Sequence, residues 1–186
     1  QIGTVPWPQR SRLMQSDEVR GLNIEALDAE LEKKVVEHIA AMERELQPDA
    51  PALLTGHFTV SGAVWGSERQ VMIGRDTTIR LSAFTSGAWD HVALGHIHKH
   101  QDVNAGNYPA VVYAGSLERI DFGEEREAKG FCWIEAARGQ TTWRFIPLNV
   151  RPFLTIYSDA SEAGEEPTEA VLREIERHDA ANAIVR

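Results

Sequence analysis

The chain has 186 residues, of which 42% are hydrophobic and 25% charged, and these proportions fit one globular core with a small second unit. Its formal net charge of -9 excludes a surface that binds phosphate backbones everywhere through lysine and arginine, so nucleic-acid binding would need metal ions or a local patch. A single cysteine excludes a disulfide framework, and the lack of a long apolar run or apolar leader predicts a cytoplasmic chain without a membrane span.

The first predicted elements are a strand and a long helix. Residues 2–5 have the pattern of a strand, which begins at the very start of the chain with no initiator methionine before it. We therefore expect the chain to be a fragment of a longer protein. Apolar residues then recur at helical spacing from Leu27 to Leu46, with Asn23 as the predicted N-cap and Pro48 as the stop. This pattern is typical of an amphipathic helix that covers a sheet.

Two short apolar runs each end in a Gly-His pair. Residues 51–57 form the first run, which ends at His57, and residues 90–98 form the second, which contains His96 and His98. Continuous apolar runs of this length are typical of strands that are buried on both faces. The sequence therefore predicts two core strands that stop at histidines.

The segments around these runs are predicted to be mainly strands. Residues 69–74 indicate a short strand, whereas residues 77–84 fit a strand or a helix equally well. Residues 110–113 indicate another strand, and the alternation in residues 130–135 and 141–148 predicts a β-hairpin. We expect this hairpin to continue the sheet in the antiparallel direction.

The character of the sequence changes after the hairpin. Residues 152–157 are strand-like, residues 168–178 are helical, and residues 183–186 resemble another strand. We therefore predict a first domain over residues 1–150 and a second, incomplete unit over residues 151–186.

Three histidines at the predicted strand ends are the candidate metal ligands. His96 and His98 are two residues apart, so in a strand they lie on one side with Cβ atoms roughly 6 to 7 Å apart. His57 ends the other strand, and open α/β sheets bind ligands at such ends. Neutral imidazole is a ligand for Zn, Mn and Fe. No aspartate stands beside these histidines in a ligand pattern that would bridge two ions, and their interpretation as ordinary loop histidines stays open at this point.

Four segments carry a specific resemblance. They are residues 53–60, 90–99, 113–124 and 129–131, with Gly-His-x-His in the second and Gly-Ser-x-Glu-Arg-x-Asp-Phe in the third. In order and spacing they resemble the SbcD-type exonuclease subunit of DNA double-strand-break processing. Gly-His-x-His alone marks the wider calcineurin-like metallophosphoesterase superfamily, whereas the longer block is specific to a much narrower group of proteins.

The resemblance implies a fold and a metal site. The fold class would be α/β, namely part of an α/β/β/α metallophosphoesterase sandwich followed by the start of a small α+β capping domain. Two manganese ions would be bound, with Mg, Fe or Zn as alternatives, and His57 and His96 would hold one ion while His98 holds the other. The family's Asp-x-His, central Asp and Gly-Asn-His-Asp motifs are absent from this sequence. No catalytic residue is therefore assigned, and we expect the chain alone to be inactive.

The resemblance also implies a function and roles for further residues. The parent protein would be a metal-dependent DNA exonuclease and endonuclease in end processing, repair and recombination. Its partners would be DNA, an SbcC-type ABC ATPase and a second copy of itself, in the cytoplasm at the nucleoid. Lys99 would contact a phosphate or be a solvated loop lysine. Ser116, Arg119 and Asp121 would order the loop under the metal site, unless Arg119 and Asp121 simply pair with each other.

Two alternatives stay open, and other reactive side chains are predicted to have ordinary roles. The chain could be a calcineurin-like phosphoesterase acting on nucleotides or phosphoproteins, or a non-catalytic module that docks DNA or the ATPase. Cys132 is predicted to be a buried thiol, His38 a solvent-facing helix residue, and His91 and His100 residues that do not bind metal.

Overall fold

A five-stranded sheet lies at the centre of the computed structural model, which describes residues 1–9, 21–67, 76–159, 161 and 166–186. The strands and helices in chain order are β1 (Ile2–Val5), α1 (Ile24–Glu45), β2 (Leu53–His57), β3 (Thr59–Val60), β4 (Thr78–Ile79), β5 (His91–Gly95), β6 (Gln101–Asp102), β7 (Ala110–Tyr113), β8 (Gly130–Glu135), β9 (Thr142–Pro147), β10 (Phe153–Leu154), α2 (Pro167–Glu176) and β11 (Ile184–Val185). This mixed α/β arrangement confirms the predicted fold class and is compatible with part of a metallophosphoesterase fold.

Parallel strands bring their carboxyl ends to one edge of the sheet. The spatial order is β1-β2-β5-β7-β6, and the first four of these strands run parallel. Leu54, Val92 and Val111 are completely buried, as expected for strands covered on both faces. In the register of β2 with β5, His57 lies opposite Gly95. The prediction of two core strands that end in Gly-His is therefore confirmed, and their ends meet.

Helix α1 covers this sheet as the apolar spacing predicts. The side chain of Asn23 accepts a hydrogen bond from the Ala26 amide at 2.9 Å, which confirms the predicted N-cap. Leu31, Val35 and Ile39 form the buried stripe of the helix. The opposite face is exposed, and the predicted solvent-facing residue His38 lies there.

The region between the two histidine strands contains both kinds of structure. The predicted short strand at residues 69–74 lies outside the described residues. The ambiguous segment at residues 77–84 forms strand β4, which pairs in parallel with β3, and then a 3-10 helix at Leu81–Ala83. Each of the two interpretations is therefore right for part of the segment, two residues of strand and three of 3-10 helix.

The predicted hairpin is confirmed, but its place in the fold differs from the prediction. β8 and β9 pair antiparallel with Gly130 opposite Pro147, and they form a sheet of their own instead of extending the central one. The physical reason is that the free edge of β7 is already occupied by β6, which pairs antiparallel with it. The hairpin packs across the main sheet instead, with the Phe145 ring stacked on that of His100 at a centroid distance of 4.0 Å.

The last residues form a small β-α-β unit. β10 pairs in parallel with β11, and α2 lies between them in the chain. The unit contacts the 3-10 helix Phe122–Glu124, because the Phe122 and Phe153 rings meet edge to face at 5.0 Å and Arg186 lies 4.6 Å over the Phe122 ring. The division into domains over residues 1–150 and 151–186 stays a prediction. In the described part of the chain, no helix is long and apolar enough to cross a membrane.

A buried aspartate ties the tip of the hairpin to the sheet. Asp90 is 1% exposed and accepts hydrogen bonds from the amides of Ala52 and Gly139, each at 2.8 Å, and from the Tyr108 hydroxyl at 2.7 Å. Nη1 of Arg138 lies 3.2 Å from Oδ2 of the same carboxylate. Burial alone would raise the pKa of Asp90, but these donors outweigh it and lower the pKa from 3.8 to about 2.

Replacing Asp90 should therefore weaken the fold in a pH-dependent manner. We expect Asp90→Asn to lower the free energy of unfolding at pH 7 by about 2 kcal/mol, because the folded state favours the ionised carboxylate. For the parent chain the contribution is fully present above about pH 4 and is lost as the pH falls towards 2. Urea unfolding at pH 7 and pH 3 measures both effects, with Asp49→Asn at an exposed position as the control. Equal stability of the two variants at pH 7 would contradict the prediction.

Candidate metal centre

The candidate ligands lie where β2 and β5 end. His57 is the last residue of β2, and its ring centroid is 5.3 Å from that of His96, which directly follows β5. Gly95 makes this approach possible, because a Cβ atom there would lie 2.8 Å from Nδ1 of His57. The structure therefore brings His57 and His96 together, as the strand ends predict.

The strand alternation that predicts one side for His96 and His98 does not extend to these residues, so their common side stays a prediction. β5 ends at Gly95, and His96 has a left-handed backbone with φ of 98°, which is uncommon for a residue other than glycine. The alternation rule holds only inside a strand, so it no longer applies after this turn. The two rings meet different carboxylates, Asp76 in the case of His96 and Glu124 in the case of His98.

Asp76 is a residue of the site that sequence reasoning missed. Its Oδ2 lies 3.1 Å from Nε2 of His96 and also accepts a hydrogen bond from the Thr59 hydroxyl. Burial would raise the pKa of Asp76, but the hydrogen bonds from His96 and Thr59 outweigh it and lower the pKa. An ionised carboxylate therefore holds one ring nitrogen of His96. No local motif marks Asp76, since it stands 20 residues before its histidine.

Two tryptophans surround the paired histidines. The ring centroid of Trp7 lies 4.5 Å from that of His96 and 5.6 Å from that of His57. The Trp65 ring meets the His96 ring edge to face, with a centroid distance of 5.2 Å. These large apolar rings replace water around the imidazoles and limit their rotation. The sequence gives no signal for this contact, because the two tryptophans lie far apart in the chain.

The surroundings of His57 favour its neutral form. Partial burial is the main cause that lowers its pKa, and the neighbouring imidazoles of His96 and His98 add to this effect. The carboxylate of Asp76 acts in the opposite direction but does not overcome them. A neutral imidazole has a lone pair for a metal ion, so the direction of the shift suits a ligand.

A loop under His98 fixes its main chain. The Ser116 amide donates to the His98 carbonyl at 3.0 Å, and the Ser116 hydroxyl donates to the Glu118 carbonyl at 2.9 Å. Nδ1 of His98 lies 2.9 Å from Oε1 of Glu124, a side chain with no exposed surface. The hydrogen bonds of Ser116 agree with its predicted role in ordering this loop.

The possible pair between Arg119 and Asp121 is not formed. The Arg119 guanidinium donates to the main-chain carbonyls of Glu124, Glu127 and Arg151, at 3.1, 2.9 and 3.2 Å. Asp121 instead accepts from the Gly123 amide at 2.7 Å and caps the 3-10 helix. The planar guanidinium has several donors, and the folded loop offers it three carbonyls at once, which a single carboxylate cannot match.

The other reactive side chains keep ordinary roles. His91 is buried at the first position of β5, and the His100 ring is stacked on Phe145, with its Nδ1 2.9 Å from the Tyr113 carbonyl oxygen. The Cys132 thiol is half-buried, and burial raises its pKa, which disfavours a nucleophilic thiolate. Lys99 is exposed, and its contact with a phosphate stays a prediction.

The residues at the strand ends suit a metal ion by donor type. Imidazole nitrogen with carboxylate oxygen is a donor set that Mn, Fe and Zn accept. Among the described residues, however, no three His, Cys, Asp or Glu side chains are grouped so that they could hold one ion. A cleft of about 420 Å³ opens over the strand ends, lined by Thr4, Val5, Pro6, Thr55, Gly56, His57 and Gly95. The described chain thus offers part of a ligand set beside an open cleft.

Comparison with known proteins agrees with the resemblance carried by the motifs. No protein-family model matches the chain. It is 29% identical over 138 residues to the SbcD subunit of the SbcCD nuclease of Staphylococcus saprophyticus, an alignment of 73% of this chain and 35% of that protein. It is 32% identical over 100 residues to the corresponding SbcCD nuclease subunit of Rhodobacter capsulatus. That alignment covers 53% of this chain and 24% of that protein. The chain spans about a third or less of these relatives, and the predicted SbcD-type resemblance is confirmed.

The contact across Gly95 can be tested directly. We expect Gly95→Ala to push the His57 ring away from His96, at a cost of about 1 kcal/mol in stability, since an imidazole can rotate aside. NMR signals of the imidazole groups measure the displacement, and thermal unfolding measures the stability. Thr55→Ala, at an exposed position of β2, is the control. Unchanged His57 and His96 signals in Gly95→Ala would contradict the geometry.

Proposed function

We propose that this chain supplies part of the nuclease site of an SbcD-type subunit, which hydrolyses phosphodiester bonds in DNA during end processing, repair and recombination. The observation that carries the proposal is the meeting of His57 and His96 at 5.3 Å on the carboxyl edge of a parallel sheet, with His98 two residues further. The similarity to two SbcCD nuclease subunits supports it. Calcineurin-like phosphoesterases of other substrate classes have no reason to carry the Gly-Ser-x-Glu-Arg-x-Asp-Phe block.

In this proposal the three histidines are metal ligands. His57 and His96 hold one ion and His98 holds the other, with manganese as the expected metal and Mg, Fe or Zn as alternatives. The bound ions would supply Lewis acidity for phosphodiester hydrolysis. Because the described residues contain no complete ligand set, the remaining ligands, including a bridging carboxylate, would come from outside the described part of the protein. The chain alone is then expected to be inactive.

Neighbouring side chains support these ligands. Asp76 fixes the orientation of the His96 ring through Nε2, and its negative charge favours a cation nearby. Trp7 and Trp65 restrict water around the same ring. Each of these residues acts through the histidines and needs no contact with the substrate.

The substrate and the partners follow from the same proposal. Lys99 is exposed one residue after His98, and this exposure supports a proposed contact with a DNA phosphate. With a net charge of -9, the chain depends on such a local contact and on the metal ions to attract DNA. For the complete protein we propose an SbcC-type ABC ATPase and a second copy as partners, and a cytoplasmic location at the nucleoid.

The ligand assignment is tested in the full-length protein. We expect His96→Ala and His98→Ala each to lower Mn-dependent hydrolysis of linear duplex DNA at least about 100-fold, because loss of a residue that only supports a ligand already costs 10 to 100-fold. His38→Ala, on the exposed face of α1, should retain full activity. Full activity in either ligand variant would overturn the assignment.

Two further measurements separate the proposal from its alternatives. Hydrolysis of small phosphodiesters but not of duplex DNA would indicate a phosphoesterase of another substrate class. Metal analysis of the intact full-length protein should find stoichiometric manganese or a related divalent metal. Its absence, together with inactivity, would indicate a non-catalytic docking module.

A further inference from the structure

A buried pair of charges lies behind His98. The side chains of Glu124 and Lys129 are both 0% exposed, and Nζ of Lys129 is 2.9 Å from Oε2 of Glu124. Glu127 adds a second carboxylate at 2.9 Å from the same ammonium. Removing such charges from water is costly, and well-packed apolar residues in their place are often as stable or more stable. A buried pair is therefore weak evidence for a contribution to stability.

The hydrogen bonds of Glu124 indicate what the pair does. Oε2 accepts from Lys129 and, at 3.1 Å, from the Ile120 amide, while Oε1 lies 2.9 Å from Nδ1 of His98. A carboxylate that already accepts from an ammonium and an amide acts as an acceptor towards its third partner as well. The His98 ring must then donate, so its Nδ1 carries a hydrogen.

The position of that hydrogen decides which nitrogen of His98 can bind a ligand. A neutral imidazole has one N–H and one lone pair, and a hydrogen on Nδ1 leaves the lone pair on Nε2. Nε2 is on the side of the ring away from Cβ, and the His98 side chain keeps 31% of its surface exposed. Glu124 thus leaves the lone pair of a neutral His98 ring on the outer nitrogen.

The same segment also holds the main chain of His98. The His98 carbonyl accepts from the Ser116 amide at 3.0 Å and from Nζ of Lys129 at 3.3 Å. Lys129 therefore contacts both Glu124 and His98, so the ring and the backbone of the histidine are held by one cluster. Such rigid support is what a metal ligand needs in order to keep its direction.

We propose that Glu124, held in place by Lys129, is a positioning residue that keeps His98 in its Nδ1–H tautomer and directs Nε2 towards a divalent metal ion. The identity of the ligand as a metal ion rests on the proposed function. The tautomer itself does not depend on it, and this difference allows the two to be tested separately.

The first test is the tautomer of His98 in the 186-residue chain without metal. Nitrogen-15 NMR distinguishes a ring nitrogen that carries hydrogen from one that has a lone pair. The parent chain should show hydrogen on Nδ1 of His98. Glu124→Gln should lose this preference and favour hydrogen on Nε2, because the amide oxygen stays with Lys129 and the Ile120 amide and the NH2 group then donates to Nδ1 of His98. Glu125→Gln is a matched control, since that neighbouring carboxylate contacts Thr155 instead.

A double variant keeps the test decisive if the single variant does not fold. Glu124→Gln combined with Lys129→Met removes both fully buried charges together and leaves only Glu127, which is partly exposed to water, without its partner. It should also lose the Nδ1–H preference. Full retention of that tautomer in the double variant, or a parent chain with hydrogen on Nε2, would overturn the proposal.

The second test is manganese affinity of the full-length protein. Glu124→Gln should weaken Mn²⁺ binding about 10 to 100-fold, as expected when the support of a metal ligand is lost, while Glu125→Gln should not. Unchanged affinity would overturn the positioning role. If the full-length protein cleaves no DNA but His98 shows the Glu124-dependent tautomer and affinity, the proposed function fails and the positioning role stands.

Discussion

The candidate site depends on one close approach. The His57 ring lies against the backbone of Gly95, in the space that a side chain at that position would occupy. The parallel register of β2 with β5 places these residues opposite each other, and the 2.8 Å between Nδ1 and an added Cβ means that any side chain at position 95 would displace the His57 ring. Directly after Gly95 the chain enters the left-handed backbone conformation of His96. Two imidazoles from different strands can therefore lie 5.3 Å apart without a loop between them.

The strand that carries this contact is fixed at both ends by ionised carboxylates. At its amino end Asp90 gathers donors from β2 and from the tip of the hairpin, and at its carboxyl end Asp76 and Glu124 hold the two histidines that follow. The hairpin also covers the loop after His98 through the stacking of Phe145 on His100. The fold thus limits the movement of β5 along its own axis.

The sequence alone predicts the parts of this arrangement that depend on neighbours in the chain. The spacing in α1, the alternation in the hairpin and the Gly-His strand ends are local patterns. Asp76 and Glu124 lie 20 and 26 residues from the histidines they contact. Sequence spacing does not predict such contacts, because they form only when distant segments of the chain fold together. His91 shows the same limit, because it is buried without a hydrogen-bond partner among the described residues although nothing in its strand pattern indicates this.

Neighbouring glutamates in the segment from Ser116 to Lys129 face opposite directions. Glu124 contacts His98, whereas Glu125 contacts the Thr155 side chain of the last β-α-β unit at 2.7 Å. Surface loops usually accept insertions and deletions. Here a change of one residue in length between Gly115 and Glu124 would move Glu124 away from His98, so we expect this irregular segment to tolerate length changes poorly.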